Sequence, residues 1–244
     1  MLIEASTPPP LPARPPALLT TNDVLASLPE EDYRRIAPSL RRMVLRSRQT
    51  LVRQGQPVQE IIFPSTGVCS LIKNTQDGHS IEVLGIGLDG VVGATVALGQ
   101  ADSPTDVVVQ MSDDAALSLP VAVVKQEMEM GAALASVMVN YCRVLTVQLM
   151  QASACHARHS VEQRCCRWLL GTQARVQRQS FAMTQEMLAM ALGVRRPTVT
   201  LIIAELQRVG AVQYSRANVN ILDQAALVER ACACVAVKAP RLYR

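Results

Sequence analysis

Aromatic side chains are scarce in this sequence: Phe, Trp and Tyr make up 3% of its 244 residues. A surface that stacks the bases of single-stranded nucleic acid needs several aromatic rings, so the composition argues against that function. Histidine is also scarce, with three residues, and no GxxxxGK[ST] loop occurs that would cradle a nucleotide phosphate. Because no paired acids suggest acid–base catalysis either, an enzyme is the weakest class of function and we assign no catalytic residues.

Long apolar runs are missing although 49% of the residues are hydrophobic. No uninterrupted run reaches the roughly 20 residues of a membrane-spanning helix. Residues 1–20 hold six prolines and no apolar core with a cleavage site, so we predict a disordered arm and no secretory signal. The seven cysteines are an odd number, which argues against a disulfide scaffold. We therefore expect a cytoplasmic protein with reduced thiols and no membrane contact.

Charge of one sign is concentrated at each end of the chain. Residues 1–154 hold 11 Lys or Arg and 15 Asp or Glu, a net charge of −4, and residues 155–244 hold 13 and 5, a net charge of +8. The basic end is the candidate for a polyanionic partner. A solvated basic surface is the alternative that charge alone leaves open.

The first hundred residues after the arm have the texture of a small β-barrel or roll. Asn22 and Asp23 can cap a short helix, with Leu25, Leu28, Ile36 and Leu40 on its apolar face. From Leu51 to Leu119, runs rich in Val and Ile alternate with Gly, Pro and Asp: LVRQG, EIIFP, VCSLIKN, IEVLGIG, VVGATVAL, DVVVQM and ALSL. Asp77-Gly78 between two runs is a hairpin signal, and Asp113-Asp114 is expected to be a solvated turn.

From Val121 to about Ala157 the pattern is helical. Apolar residues recur at a heptad-like spacing, and between Gly131 and Gln151 the only charge is Arg143. The stripe indicates either a helix lying on its own domain or a two-stranded dimer seam. For the seam we expect Val137, Met138, Tyr141, Leu145, Leu149 and Ala152. A further helix begins at Ser160, which has Gln163 at the capping-box position, and we expect a polar connection from Gly171 to Ser180.

Residues 183–223 read as a helix, a tight turn, a second helix and a hairpin. Thr184 can cap the first helix, and Gly193 can supply the positive φ of the turn. Pro197 suits the first turn of the second helix, which begins near Arg196. Two short strands flank Arg216-Ala217. This is the pattern of a winged helix-turn-helix, with a helical hairpin as the simpler alternative.

The second of these helices has the shape of a DNA-recognition helix. The expected buried stripe consists of Val199, Ile202, Ile203 and Leu206, while Arg196 and Thr200 lie on another face. The N-terminal residues of such a helix reach base edges in the major groove, where arginine can bond guanine O6 and N7. The expected DNA-binding residues are Thr184, Gln185, Arg195, Arg196, Pro197, Thr198, Thr200 and Arg216.

Cysteine and histidine near the chain's basic end give a weaker signal for metal. Cys155 and His159 are four residues apart and could meet an ion, and His156 lies beside them. Cys232-x-Cys234 is too closely spaced for an ordinary zinc-ribbon pair, and no second pair has zinc spacing. Core packing and surface histidines are therefore the preferred interpretation, as they are for Cys165-Cys166; we expect no metal and no cofactor, and a thiol or haem sensor lacks support.

Four segments resemble the Crp/Fnr superfamily, the relatives of the cAMP receptor protein. They are Thr50–Ile72 for its opening strands, DGHSIEVLGIGLDGVVGATVAL for its central strands, residues 131–157 for its long dimerisation helix, and MTQEMLAMALGVRRPTVT for its helix-turn-helix. The resemblance covers nearly everything after the arm. It implies a homodimer on a two-fold symmetric site in double-stranded DNA, with contact to RNA polymerase.

Departures from the family pattern affect the expected ligand. Its cyclic-nucleotide binders hold the ribose with Gly-Glu and the phosphate with Arg-Ser or Arg-Thr; here these places resemble Gly93-Ala94 and Pro104-Thr105. A buried phosphate without a cation is unfavourable, so cAMP binding is not expected. The iron–sulfur branch has an N-terminal cysteine cluster, whereas the first cysteine here is Cys69. In the recognition helix, Pro197 and Leu201 replace family polar residues, which implies a different operator.

These observations predict an α+β chain with four parts. They are a disordered arm (1–20), a cyclic-nucleotide-binding-like β-roll sensor (21–120), a dimerisation helix region (121–157) and a winged helix-turn-helix domain (158–244). The predicted function is a sequence-specific DNA-binding transcription regulator that acts as a homodimer. The alternative is a β-roll ligand-binding module that controls a protein partner.

Overall fold

The structure, a computed structural model, describes residues 22–236, so the Pro-rich arm predicted for residues 1–20 lies outside it. The helices are α1 (Asp23–Ala26), α2 (Glu30–Ile36), α3 (Val121–Glu129), α4 (Ala133–Arg158), α5 (Val161–Val176), α6 (Gln185–Leu192), α7 (Arg196–Arg208) and α8 (Gln224–Arg230). The strands are β1 (Arg41–Leu45), β2 (Thr50–Val52), β3 (Glu60–Phe63), β4 (Val68–Asn74), β5 (Ser80–Ile86), β6 (Asp106–Met111), β7 (Asp113–Pro120), β8 (Ser180–Ala182), β9 (Val212–Ser215) and β10 (Asn218–Ile221).

Strands β1 to β7 form the predicted roll. A three-stranded sheet in the order β1-β7-β3 faces a four-stranded sheet in the order β2-β6-β4-β5, and all pairs are antiparallel. The predicted Asp77-Gly78 hairpin joins β4 to β5, with Gly78 at φ 83°. Phe63, Leu119 and Ile61 are fully buried in the core that the roll shares with the helices around it.

Asn22 anchors the first helix to this roll. Its side-chain oxygen accepts from the backbone N–H of Val24 and Leu25, at 3.0 and 3.2 Å, as the sequence predicted for a cap. Its Nδ2 donates to the carbonyls of Pro64 and Gly90, each at 2.8 Å. One buried amide therefore both starts α1 and attaches it to two loops of the roll.

Two expectations for the roll were wrong. The run VVGATVAL is not a strand, because Gly93 takes the left-handed φ of 84° and a 3-10 helix follows at Ala94–Leu98. Asp113 is not a solvated turn residue: it is buried and accepts from the backbone N–H of Ser65, Thr66 and Gly67 at 2.6 to 3.1 Å. Burial raises the pKa of Asp113, but these hydrogen bonds outweigh it and hold the pKa below its ordinary value.

The predicted helical region contains two helices, α3 and α4, because Gly131 breaks it at φ 66°. The 26-residue α4 packs its Leu134, Met138 and Tyr141 into the core shared with the roll. Among the described residues, α4 alone is a single helix that is long and apolar enough to cross a membrane; α6 and α7 would qualify only as one broken span. Only 28% of the most apolar window of α4 is buried.

Helices α5 to α8 and strands β8 to β10 form the C-terminal unit. Ser160 caps α5 in the predicted capping box with Gln163. The expected polar connection from Gly171 to Ser180 was wrong: α5 continues to Val176, whose side chain is buried, and β8 begins at Ser180. Strand β8 pairs with β10, so the wing has three strands in the order β8-β10-β9.

This C-terminal unit is attached to the roll by polar contacts as well as by packing. Trp168 on α5 donates its indole N–H to Glu82 Oε1 on β5 at 3.1 Å. Arg175 on α5 bonds Asp89 at 3.3 Å. The described part of the chain thus has the predicted class, α+β, with a β-roll, a long helix and a C-terminal winged helix-turn-helix.

Candidate nucleic-acid interface

Helices α6 and α7 meet at an angle of 107°, within the usual range of a helix-turn-helix. Thr184 caps α6, since its hydroxyl oxygen accepts from the N–H of Met187 at 3.1 Å. Gly193 ends α6 at φ 63°, a conformation that glycine adopts without strain. The N–H of Val194 bonds the carbonyl of Ala189 at 3.0 Å and closes the turn.

Helix α7 presents two different faces. Val199, Ile203 and Leu206 are fully buried in the core of the C-terminal unit. Arg195, Arg196, Pro197 and Thr200 are exposed, and Thr198 is half-buried. Leu201 is 73% exposed, an unusual position for a leucine on a helix with a buried side. The exposed face therefore combines cationic, polar and apolar groups near the start of the helix.

The start of α7 carries hydrogen-bond donors that face solvent. Arg195 occupies the cap position but makes no side-chain cap bond, and Pro197 stands in the first turn as predicted. Within residues 22–236, no ion pair or side-chain hydrogen bond engages Arg195, Arg196 or Arg216. Free guanidinium groups beside an uncapped helix N-terminus form a surface that attracts phosphate.

Gln185 and Thr200 link the two helices. The Thr200 hydroxyl donates to Gln185 Oε1 at 2.7 Å and also lies 3.2 Å from the carbonyl of Arg196. Gln185 is at the N-terminus of α6 and half-buried. This bond fixes the N-terminal half of α7 relative to the start of α6. Both are segments for which the sequence predicts contact with DNA.

The wing is a tight hairpin between β9 and β10. Arg216 and Ala217 both take positive φ, 48° and 57°, which is the geometry of a type I′ turn. Neither is glycine, so each carries the steric cost of the left-handed region. The backbone N–H of Tyr214 bonds Gln207 Oε1 of α7 at 2.8 Å, which fixes the wing to that helix and leaves Arg216 exposed at the tip.

The roll has no buried cation where a cyclic phosphate would lie, within the part of the chain that the structure describes. Gly93 and Ala94 begin the short 3-10 helix, which packs on α4. At the second family position Thr105 is buried, and its carbonyl accepts from Ser103 Oγ at 2.6 Å. Among the described residues, Arg164 is the one arginine that is buried as a whole residue, and it belongs to α5.

The residues expected at the dimer seam occupy different environments. Met138 and Tyr141 are buried in their own chain, and Val137 and Leu145 pack partly against the same core. Ala152 is half-buried and Leu149 is 41% exposed. The opposite face of α4 carries apolar groups that the sequence analysis did not select: Val139, Val147 and Met150 are 37%, 41% and 67% exposed. Periodicity alone could not find them, because α4 is apolar on nearly every side.

Cysteines of the C-terminal unit fall into two groups. Cys165 and Cys166 are fully buried in its core, as predicted for packing residues, and burial raises the pKa of Cys166 to about 11. By contrast, the structure brings together Cys155, His159, Cys232 and Cys234, with all four ligand atoms within 4.8 Å of one another. His156 is exposed and outside this group.

Comparisons with known proteins agree with this geometry. Residues 163–230 match the family model of the Crp-like helix-turn-helix domain. No curated protein matches the chain. A CRP-family transcriptional regulator from Thermus thermophilus is 18% identical, with a TM-score of 0.65 over 78% of this chain and 96% of its own. FixK2 from Bradyrhizobium japonicum is 13% identical, with a TM-score of 0.64 over 80% and 98%. The c-di-GMP responsive global regulator CLP from Xanthomonas campestris is 14% identical, with a TM-score of 0.63 over 79% and 99%.

The fold and the helix-turn-helix together define the class of this protein by architecture, a β-roll joined through a long helix to a helix-turn-helix domain of a kind that binds DNA. More particularly, the chain has the Crp/Fnr fold, and its residues 163–230 are a Crp-like helix-turn-helix domain. The resemblance that the sequence motifs indicated is thus confirmed for the fold and for the helix-turn-helix domain.

Proposed function

We propose that the chain regulates transcription from the bacterial cytoplasm as a homodimer that reads a two-fold symmetric DNA site. The observation that carries the proposal is that Arg195 and Arg196, at the uncapped start of α7, are both exposed and form no ion pair among the described residues. In the major groove, Arg196 reads a base edge, and Arg195 and the α7 N-terminus hold phosphates.

The other residues of the interface have supporting roles. Thr184 and Gln185 at the start of α6 bind the backbone, as does Arg216 at the wing tip. Pro197, Thr198 and Thr200 complete the face of α7 that enters the groove. Leu201 adds an apolar contact, which a thymine methyl group can fill. RNA polymerase is the second macromolecular partner that the proposal includes.

The homodimer is supported by the exposed apolar face of α4. Exposure of Val139, Val147 and Met150 to water is unfavourable, and a partner that covered them would stabilise the assembly by roughly 25 cal/mol for each Å² of apolar surface buried. The same helix in a second copy offers a self-complementary surface. We therefore place the centre of the seam on this face, with Leu149 at its edge, and not on the buried Met138 and Tyr141.

The proposed regulator does not bind cAMP. Support comes from two positions: Ala94 stands where the cyclic-nucleotide binders have a glutamate, and Pro104 stands where they have an arginine before the Ser or Thr. No buried cation lies nearby among the described residues. In a thermal-shift titration, cAMP should leave the melting temperature of the protein unchanged. A rise that saturates with cAMP concentration would contradict this part of the proposal.

Binding to random genomic DNA fragments, measured by fluorescence anisotropy over a salt series, tests the main proposal. The logarithm of affinity should fall linearly and steeply with the logarithm of salt concentration. The double variant Arg195→Ala/Arg196→Ala should bind more weakly and with a shallower slope. A module that controls a protein partner would show no affinity for duplex DNA even in dilute buffer.

A further inference from the structure

Two ligating groups lie at the end of α4 and two lie beyond α8. Cys155 and His159 are one helical turn apart, and Cys232 and Cys234 belong to the segment that follows α8. His159 Nδ1 lies 4.0 Å from Cys234 Sγ. In a tetrahedral zinc site the Zn–S distance is about 2.3 Å, so two ligating sulfurs lie about 3.8 Å apart. The four groups, all within 4.8 Å, need to move less than about 1 Å to reach that spacing.

We propose that Cys155, His159, Cys232 and Cys234 form a tetrahedral binding site for a zinc-class divalent ion. Three cysteines with one histidine are a recognised structural zinc set. Sequence spacing did not reveal the site because the two halves lie 75 residues apart between His159 and Cys234.

Gln151 supports the site from one turn earlier on α4. Its Nε2 donates to Cys155 Sγ at 3.3 Å and to Cys234 Sγ at 3.1 Å. Donors of this kind orient metal-bound thiolates and stabilise their negative charge. A glutamine amide that contacts a sulfur from each half of the cluster already connects the two segments.

Two arginines of α5 supply an independent sign that negative charge belongs here. The Nε atoms of Arg164 and Arg167 are buried and have no hydrogen-bond partner, and the Arg164 side chain is almost fully buried. The charge of Arg167 acts to lower the pKa of Cys155 and of Cys232, and these two cysteines act to raise the pKa of Arg164. Three thiolates, a neutral imidazole and one divalent ion carry a net charge of −1, which would offset part of the positive charge of the two arginines.

The thiols of the cluster differ in pKa. Burial raises the pKa of Cys155, but the hydrogen bonds from Gln151 and Cys234 and the charge of Arg167 outweigh it and lower the pKa below its ordinary value. The pKa of Cys234 is raised to about 11, by burial first and then by Cys155. Because cysteine binds a metal ion as the thiolate, binding releases any protons that these thiols hold.

Cobalt(II) titration of the reduced full-length protein, without DNA, tests the site. One Co²⁺ per chain should bind, with sulfur-to-cobalt charge-transfer bands and the intense visible bands of tetrahedral cobalt, and Zn²⁺ should displace it. The half-buried ligands give the cleanest variants: His159→Ala and Cys234→Ser should each weaken binding at least about tenfold. Gln151→Ala should weaken it about tenfold while leaving the charge-transfer bands.

The matched controls are His156→Ala, which follows Cys155 in the chain but lies outside the cluster, and Cys142→Ser, a buried cysteine outside the cluster. Both variants should bind cobalt like the natural sequence. Failure of the reduced protein to bind Co²⁺ or Zn²⁺ would overturn the proposal. The proposal would also be overturned if the His159 and Cys234 variants bound Co²⁺ as tightly as the natural sequence. Formation of a Cys232–Cys234 disulfide without any metal binding would overturn it as well. Because no DNA is present, the result is separate from that of the DNA-binding test.

Discussion

Arg196 is exposed at the first position of α7 and has no partner in the described part of the chain. We expect Arg196→Ala to weaken binding to the operator by about 1–3 kcal/mol and to relax preference at one base pair. The reason is the loss of a bidentate contact to a base edge. Competition binding with single-base operator variants measures both effects.

Arg208 is the matched control for Arg196. It is exposed on the same helix, but it lies in the last turn and bonds Glu205 at 2.7 Å. Arg208→Ala should leave base preference unchanged. If Arg196→Ala behaves like this control, the reading face lies elsewhere on α7.

Ala217 provides a stability prediction at the wing tip. Its φ of 57° lies in the left-handed region, which costs an L-residue with a Cβ roughly 1–2 kcal/mol. Ala217→Gly removes this cost, part of which is offset by the greater freedom of glycine in the unfolded chain. The free energy of unfolding should therefore rise by about 0.5–1 kcal/mol, as measured by chemical denaturation.

A glycine placed in a helix should have the opposite effect. Ala225 is exposed in α8, and Ala225→Gly should lower the free energy of unfolding by about 0.5–1 kcal/mol. Equal effects of the two glycines would show that the wing conformation carries no strain.

Individual residues were predictable where local chemistry decides their role. The caps Asn22, Ser160 and Thr184 and the turn residue Gly193 follow rules that span at most four positions. Asp113 was not predictable, because its hydrogen-bond donors at Ser65, Thr66 and Gly67 come from a loop 46 to 48 residues away. From the sequence alone these donors are not visible, and the adjacent acids Asp113 and Asp114 therefore suggest a solvent-exposed turn.

At the scale of single elements, α4 offers a test of the dimer. Met150 is 67% exposed, and we expect Met150→Asp to shift the protein toward monomer, since a charge would have to be desolvated at the seam. Sedimentation velocity over a concentration series measures the shift. DNA affinity should fall with it, because two linked reading helices bind together.

Met130 is the control for this substitution. It is 56% exposed and lies in the break between α3 and α4, outside the proposed seam. Met130→Asp should leave the dimer intact. A Met150→Asp protein that sediments like the Met130 variant would place the contact on a different surface.

The position of the long helix was predicted correctly from the sequence, but the face that it buries was not. The heptad-like stripe correctly indicated a long helix after residue 131, but it could not distinguish the side that faces the roll. With Arg143 as its single charge up to Gln151, α4 has no polar face to show which side meets water. The strand β8 was missed for a related reason: three residues, Ser180–Ala182, are too few to show an alternating pattern.

At the scale of the whole molecule, Glu82 connects the roll to the C-terminal unit. It accepts from Ser70 Oγ at 2.7 Å and from the indole of Trp168 at 3.1 Å. Burial raises its pKa above the ordinary 4.5, although the hydrogen bonds from Ser70 and Trp168 and the charge of Arg175 act in the other direction. The protonated form is thus favoured in the folded state.

The stability contributed by Glu82 should therefore depend on pH in a defined direction. It is fully present below pH 4.5, the ordinary value of the unfolded carboxyl, and is lost as pH rises through the folded pKa. Glu82→Gln should remove this loss, so that the variant is more stable than the natural sequence near neutral pH. Trp168 is the single tryptophan of the chain, so denaturation followed by its emission measures both proteins.

Glu186 serves as the reference carboxylate, since it is exposed on α6. Glu186→Gln should retain the pH dependence of the natural sequence. A Glu82→Gln protein with that same dependence would show that another group governs it.

The fold of residues 22–236 was predictable because many local signals agreed, from the Asp77-Gly78 hairpin to the wing strands around Arg216. The cysteine–histidine cluster was not, since its halves meet only after α5 to α8 have folded back onto the end of α4. Spacing rules for zinc ligands describe local pairs, and Cys232-x-Cys234 does not fit them alone.

Helix α4 also acts as a lever. Its 26 residues span about 39 Å at 1.5 Å per residue, so a tilt of about 5° at the roll moves the far end by about 3.4 Å, the rise of roughly one base pair along a strand. In the proposed homodimer, a change in the roll too small to alter its core would therefore shift the spacing of the two recognition helices by a whole base step, and so decide which operators they can occupy together.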